Sequence, residues 1–195
     1  MDLLTKCACT FRNLTGYRYH FTLGHKGKLK ELSLGFSDTN FHHLIGLHKL
    51  KDLEIARTNR STVFQEILNK RITYETLRKS EFFDEIQSRL EAFPYLEALL
   101  DQEPIVFRYN KKLYPYSRIE SEFLIKLKNG TCPDITFLFL DQTKHDIYYC
   151  RSFFPMNQTD YTRGQMQYTL LKTEKIHMAT GKIICQHDRL ASKSV

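Results

Sequence analysis

Three histidines and a lysine are concentrated in one short apolar segment of the sequence. Residues 41–50 read FHHLIGLHKL, with four aliphatic side chains and a phenylalanine among the titratable groups. An imidazole exchanges its proton near neutral pH, so it can act as a general acid or a general base. A neighbouring cation can bind a phosphate. The segment is therefore a candidate for acid–base chemistry on an anionic substrate, although a structural helix with hydrogen-bonded histidines explains the same residues.

The residues before this segment predict that it is helical. Four residues that favour helix N-caps, SDTN, directly precede Phe41, so we expect a helix over residues 39–51. At about 100° per residue, His48 falls in the apolar stripe and His43 at its edge. His42 and Lys49 fall on the polar side. We therefore expect His42 to be solvated, and His43 and His48 to face whatever the helix packs against.

A metal site is a second interpretation of the histidines. Helical zinc sites use two histidines four residues apart with an acid between them, and no pair here has that spacing. The five cysteines are scattered, and Cys7-Ala8-Cys9 has no second close pair. This pattern argues against a zinc site and a disulfide scaffold, and for a reducing compartment. We expect no metal and no small-molecule cofactor.

The composition is that of one basic globular domain. The chain has 195 residues, a net charge of +7, 11 Tyr and 14 Phe. A basic, aromatic surface suits a polyanion, because phosphates attract cations and bases stack on rings. No apolar stretch approaches the roughly 18 residues of a spanning helix, so we expect a cytoplasmic protein without a membrane partner. We predict a single domain over residues 1–195.

The periodicity of the hydrophobic residues predicts an α+β fold. We expect a short helix over 3–13, a hairpin over 17–36 and helices between 60 and 100. Strands are expected over 105–109, 119–128, 135–140, 147–154 and 165–176, with a compact turn at Asn129-Gly130. Together these elements predict an N-terminal hairpin and helices packed on a small antiparallel sheet of four or five strands. The tail after Lys182 is expected to be loosely held.

Three segments resemble a known nuclease family. Residues 41–50 are similar to the F-x-HL-x-GLHKL signature of the fourth phage-associated branch of the barnase–EndoU–colicin–RelE-like (BECR) nucleases. Phe64–Ser80 supplies its F…I…I-T-x-E-x-L-x-K-S pattern, and residues 148–154 resemble its late S-F-F strand. The resemblance covers about residues 15–176. It implies a BECR-like fold and a metal-independent ribonuclease of phage or mobile-element origin.

The chemistry of such an enzyme assigns roles to particular side chains. Cleavage of RNA without a metal needs a base for the 2′-hydroxyl, an acid for the leaving oxygen and cations for the phosphorane. We predict His43 and His48 as the acid and base, Lys49 and Arg151 as phosphate ligands, and Ser152 as an orienting hydroxyl. Lys49 could equally be a solvated cation and Ser152 an ordinary strand residue. Arg151 and Ser152 are neighbours, so only one faces a cleft on the sheet unless a bulge intervenes.

Two functional classes follow from these features. The first is an endoribonuclease or RNase-like toxin, whose partners would be RNA and an antitoxin or immunity protein. The second is a catalytically silent RNA- or protein-binding module of the same fold, including a phage-encoded inhibitor of a host protein. The enzyme requires His43 or His48 beside Arg151 or Lys49 in an open concavity. The silent module predicts sealed histidines with backbone partners, and the inhibitor predicts an exposed apolar patch.

Overall fold

The computed structural model describes residues 1–128, 135–143 and 146–191. Its α-helices are α1 (Leu3–Thr15), α2 (Asp38–Leu44), α3 (Arg60–Leu68), α4 (Tyr74–Arg78), α5 (Asp84–Ala92) and α6 (Leu96–Leu100). Its strands are β1 (Tyr17–His25), β2 (Lys28–Gly35), β3 (Ile105–Arg108), β4 (Phe123–Lys128), β5 (Ile135–Gln142), β6 (Ile147–Pro155), β7 (Met166–Gln167), β8 (Thr169–His177) and β9 (Ile183–Asp188). The chain is therefore a mixed α+β protein, as the periodicity predicts.

Helix α1 lies at the centre of the helical layer. Asp2 caps its N-terminus by accepting a hydrogen bond from the Thr5 backbone N–H at 2.7 Å. Phe11 on this helix is fully buried, and its ring contacts the rings of four other phenylalanines: Phe36, Phe41, Phe64 and Phe93. Because these rings come from separate elements, Phe11 fixes α2, α3 and the end of α5 around one apolar centre.

The sheet is larger than the small sheet predicted. Within the described residues it has nine strands in the order β7-β3-β4-β5-β6-β2-β1-β8-β9. Strands β1 and β2 are antiparallel neighbours joined at Lys26 and Gly27. The predicted all-antiparallel arrangement is wrong at one position, because β2 pairs with β6 in parallel, with Ser33 opposite Ile147. Parallel neighbours need a long crossover, and the helices between β2 and β3 belong to it. No local pattern reports such a distant pairing.

The C-terminal region also differs from the prediction at its boundaries. The long strand expected over residues 165–176 divides into β7 and β8, which pair with different strands. Within the tail expected to be loosely held after Lys182, Ile183–Asp188 forms β9, an edge strand that pairs with β8. The predicted turn at residues 129–130 lies outside the described residues.

The predicted helix over residues 39–51 ends early. Helix α2 stops at Leu44, and Gly46 adopts a left-handed backbone with φ of 88° before a short 3₁₀ turn over Leu47–Lys49. A left-handed residue breaks the regular advance of side chains around a helix axis, and glycine adopts it at little cost. Side-chain directions inferred from one continuous helix therefore cannot be extended past Gly46 to His48.

The two faces of the sheet carry separate apolar clusters. The helices cover a large cluster that includes Tyr148, Cys150 and Phe153 of β6. The opposite face carries a smaller aromatic cluster around Phe137 and Phe139, which loop residues after β3 and β6 cover. Within the described ranges, no helix combines the length and apolarity needed to cross a bilayer.

Candidate active site

The motif segment 41–50 places its apolar residues in the core and two of its histidines at the surface. Phe41, Leu44, Ile45, Leu47 and Leu50 are fully buried. His43 and His48 are half-buried and lie on either side of the reversal at Gly46. The reversal brings their imidazole rings face to face, with centroids 4.2 Å apart and planes inclined by 15°. The motif therefore builds a stacked pair of histidines on an apolar base.

His42 does not occupy the solvated position predicted for it. Its side chain is 2% exposed, and its Nε2–H donates to the Ile55 carbonyl oxygen at 2.9 Å. Burial lowers the pKa of His42, so the ring is neutral near pH 7. The segment after α2 folds back over this face, which no local helical pattern could show. His42 therefore has a structural role, as a buried imidazole that is hydrogen-bonded to the backbone.

His43 faces a half-open cleft of about 210 Å³ between α2, α3 and β6. Its walls are formed by Asn40, His43, Arg60, Tyr149, Cys150 and Arg151. Burial raises the pKa of the Cys150 thiol well above its ordinary value, so that group stays protonated and unreactive. The groups in the cleft that could act on an anion are therefore an imidazole and two guanidinium groups.

Arg151 reaches the cleft because β6 is irregular at this point. Phe139 pairs with Ser152 and Leu140 pairs with Cys150, so Arg151 is an extra residue without an opposite partner on β5. A bulge of this kind re-aims a side chain. The guanidinium Nη1 donates to the Tyr149 hydroxyl at 3.3 Å, and the side chain remains exposed.

Arg60 is the cleft residue that the sequence reasoning missed. It is the first residue of α3, whose N-cap Asn59 accepts hydrogen bonds from the Ser61 and Thr62 backbone N–H groups. A helix N-terminus carries a partial positive charge, so a cation there is electrostatically unfavourable. Arg60 is exposed and makes no ion pair with any described residue. The sequence signal that could have identified Arg60 is its position directly after the N-cap residue Asn59, where a cation is electrostatically unfavourable.

The remaining two predicted residues lie apart from the cleft walls. Lys49 is half-buried and its Nζ lies 3.4 Å from a carboxylate oxygen of Glu85 on α5. Ser152 pairs with Phe139 and shares its face of the sheet, the face opposite the helices. The structure thus places His43 and Arg151 in one cleft, stacks His48 on His43, and places Lys49 and Ser152 outside the cleft walls.

The electrostatics of the cleft keep both stacked imidazoles neutral. Burial lowers the pKa of His43 to about 4, with further lowering by the guanidinium groups of Arg60, Arg89 and Arg151. Burial also lowers the pKa of His48 to about 4, and His43 and Arg89 add to the effect. A neutral imidazole can accept a proton at pH 7, and the surrounding cations favour an anionic ligand. The cleft therefore combines a neutral imidazole, which can accept a proton, with guanidinium groups that attract an anion.

These pKa values predict that acid weakens the fold. In the unfolded chain an imidazole has a pKa of about 6.5, so between pH 6.5 and 4 the unfolded state binds more protons than the folded state. The free energy of unfolding should therefore fall as the pH is lowered through this range, which denaturant titrations at several pH values would measure. A His43→Phe/His48→Phe double variant should show a flatter profile than a His25→Phe control. Equal slopes of unfolding free energy against pH in the wild type, the double variant and the control would contradict the lowered pKa values.

Metal-ligating side chains do not gather at this site. Across the described residues, no three His, Cys, Asp or Glu side chains are placed to hold one ion. The donors around the cleft are imidazoles, an amide, a phenol and guanidinium groups, of which guanidinium groups do not ligate metals. This set fits an anion better than a cation.

Comparison with known proteins assigns the chain to a family. No curated protein and no solved structure matches the chain. The sequence model of the phage-Barnase-EndoU-ColicinE5/D-RelE like nuclease4 family matches residues 3–190, which extends beyond the region 15–176 on both sides. The match includes every element that builds the cleft, and the family description supports nuclease chemistry in general. The chain belongs to the phage-Barnase-EndoU-ColicinE5/D-RelE like nuclease4 family.

Proposed function

We propose that this protein is a metal-independent endoribonuclease that cleaves RNA by acid–base catalysis in the His43 cleft. The observation that carries the proposal is that His43 shares one cleft with Arg60 and Arg151, while the ring of His48 stacks on His43. Two guanidinium groups can bind a phosphodiester through paired N–H donors, and the neutral imidazole beside them can accept a proton. Membership of a nuclease family supports the reaction class.

The proposed reaction is an internal transfer at phosphorus. The 2′-hydroxyl gives its proton to His43 as its oxygen bonds to phosphorus, and the bond from phosphorus to the 5′-oxygen breaks. The departing oxygen takes a proton, for which His48 is the donor we propose. Arg60 and Arg151, which both line the cleft, offset the charge on the phosphorane in this scheme. The products are a 2′,3′-cyclic phosphate and a 5′-hydroxyl.

The acid step depends on the substrate in this scheme. With a pKa of about 4, His48 is neutral at pH 7 in the free protein. A phosphate bound between the two arginines adds negative charge beside the rings and raises the imidazole pKa. Protonation of His48 would then accompany substrate binding, while His43 stays neutral and acts as the base. In this proposal Lys49, the residue after His48, is a cation that binds phosphate. Ser152, the residue after Arg151 on β6, supplies an orienting hydroxyl.

One observation favours a second function. Because both rings are neutral in the free protein, the cleft lacks a charged acid, as a catalytically silent RNA- or protein-binding module would. Such a protein would keep the basic cleft for binding alone.

The biological role we propose is that of an RNase-like toxin of phage or mobile-element origin that acts in the cytoplasm. A half-open cleft that attracts phosphate would cut cellular RNA, so a producing cell would need an antitoxin or immunity protein. An acidic partner that covers Arg60 and Arg151 would block the site by charge complementarity.

Incubation with labelled RNA in EDTA tests the enzyme directly. We expect fragments that end in a 2′,3′-cyclic phosphate, which gel mobility before and after acid treatment identifies. Cleavage should persist at any chelator concentration, because the scheme routes no step through a metal. Intact RNA in both EDTA and added Mg²⁺ would support the silent module, and cleavage only with Mg²⁺ would contradict the metal-independent scheme.

A further inference from the structure

The segment after β3 combines aromatic and basic side chains. Residues 108–120 read RYNKKLYPYSRIE, with three tyrosines and four Lys or Arg residues. Proteins that bind single-stranded nucleic acid combine cations that follow the phosphates with rings on which bases stack. We call residues 109–121 the Tyr116 loop. It lies outside the His43 cleft, and none of the roles proposed above uses it.

Hydrogen bonds hold the Tyr116 loop in place without a ligand. The Tyr114 hydroxyl donates to the Asp160 carbonyl oxygen at 2.7 Å, and the Asn110 backbone N–H donates to the Gln165 side-chain oxygen at 2.7 Å. The Tyr109 ring packs edge-to-face on Phe139 with centroids 5.0 Å apart. A loop anchored at three positions loses little conformational entropy when it binds, so it is preorganised.

The loop separates two open concavities of nucleotide size. The larger, about 760 Å³, is lined by Arg108, Tyr109, Asn110, Lys111, Lys112, Pro115, Glu120 and Ser121, and we call it the Lys112 groove. The smaller, about 370 Å³, is lined by Tyr114, Tyr116 and Tyr161 among others. Tyr116 is 99% exposed, so nothing in the described structure covers its ring. Pro115 lines both concavities, so they adjoin.

The Lys112 groove lies close to the His43 cleft. The Glu122 backbone N–H donates to the Leu140 carbonyl oxygen at 2.9 Å, and Leu140 is opposite Cys150 in the cleft wall. Two strand spacings, about 10 Å, therefore separate Glu122, the residue after Ser121 of the groove, from Cys150 in the cleft wall. The pKa of Glu120 is lowered by its hydrogen bond from Lys111 and also by the Arg151 guanidinium. One extended strand of nucleic acid could occupy both sites.

The charges in the groove favour unpaired bases over a duplex. Arg108 and Lys111 are paired with Glu122 and Glu120, whereas Lys112 has no ion pair among the residues described. The two carboxylates can accept hydrogen bonds from base amino groups, which a duplex uses for pairing. A duplex also hides the base faces that the tyrosines could stack on. Cations, carboxylates and exposed rings together fit a splayed single strand.

We infer that the Tyr116 loop and the Lys112 groove bind the unpaired nucleotides next to the scissile phosphate, so that single-stranded RNA is the substrate class. The assignment of a substrate rests on the proposed function of the His43 cleft. Binding itself involves neither His43 nor His48. The two proposals can therefore be tested separately.

The test measures binding by fluorescence anisotropy with a labelled 2′-O-methyl oligonucleotide. This probe has no free 2′-hydroxyl, so it cannot be cut by the proposed reaction. We expect the single strand to bind at least about 10-fold more tightly than the same sequence as a blunt duplex. Tyr116→Ala should weaken binding of the single strand about 5- to 100-fold, as loss of one stacked base predicts. Tyr116→Phe keeps the ring and should bind like wild type.

Lysine variants add a second readout. Lys112→Ala should lower the slope of log affinity against log salt by about 0.7, as loss of one phosphate contact on a single strand predicts. Lys182→Ala removes an exposed cation after β8, near the opposite edge of the sheet, and should leave the slope unchanged. Circular dichroism would confirm that each variant is folded.

The outcomes separate the two proposals. Equal affinity for single strand and duplex, no binding of either, or unchanged binding by Tyr116→Ala would overturn the inference. If the probe binds as expected but RNA stays intact in EDTA, the loop and groove bind single strands and the cleavage scheme alone is wrong. If RNA is cut and the Tyr116→Ala variant cuts single strands and binds the probe like wild type, the inference alone is wrong.

Discussion

His43→Ala is expected to lower the rate of RNA cleavage about 100- to 10,000-fold, the range that removal of a general base produces. His43 is the histidine that lines the cleft beside Arg60 and Arg151, and its low pKa leaves it unprotonated at pH 7. The measurement is the initial rate on labelled single-stranded RNA in EDTA. Because His43 is half-buried and makes no hydrogen bond with a described residue, the variant should remain folded.

Two comparisons make this prediction decisive. His25→Ala, at the end of β1, removes an imidazole away from the cleft and should retain the wild-type rate. His48→Phe keeps a ring stacked on His43 but removes its nitrogens. If His48 is the acid, this variant loses activity, whereas a His48 that only supports the His43 ring tolerates phenylalanine. Retention of full activity by His43→Ala would refute the proposed base.

Gly46→Ala is expected to destabilise the protein by about 2–5 kcal/mol, from left-handed strain and overpacking together. Gly46 has φ of 88°, and a Cβ there would lie 2.8 Å from Cγ2 of Ile86. Ile86 is fully buried, so that methyl group has little room to move. Denaturant unfolding would give the change in free energy. The same substitution should separate His43 from His48 and lower any cleavage rate.

Gly27→Ala provides the matched control. Gly27 joins β1 to β2 with φ of 76°, and a Cβ there meets nothing within 4 Å. This variant therefore reports the left-handed strain alone, about 1–2 kcal/mol. The difference between the two variants measures the contact with Ile86. Equal losses at both positions would show that the core around α5 accommodates the methyl group.

Local patterns predicted the elements of the fold well. The alternation before and after Gly27 marks the two strands of the hairpin, and the first two helices expected between residues 60 and 100 begin in the structure at the N-cap residues Asn59 and Thr73. Each of these signals depends on residues a few positions apart, so it can be recognised in a single sequence. The motif over residues 41–50 likewise identified the segment that lines the cleft.

The rest of the site depends on contacts between distant parts of the chain. His42 is buried because the Ile55 carbonyl reaches its ring, and Arg151 faces the cleft because β6 bulges against β5. Arg60 lies on α3, a third element besides α2 and β6. None of these contacts leaves a periodic signal in the sequence. Besides the position of Arg60 directly after Asn59, a local clue that was overlooked is Gly46, since a glycine within a helical pattern often ends the helix.

The parallel pairing of β2 with β6 has a consequence for synthesis of the protein. It joins residues more than a hundred positions apart, so the hairpin and helices leave the ribosome long before their partner strand exists. Arg151 belongs to that late strand, and a nascent chain that ends before it has only one wall of the cleft. Translation thereby delays assembly of the site until most of the polypeptide has been made.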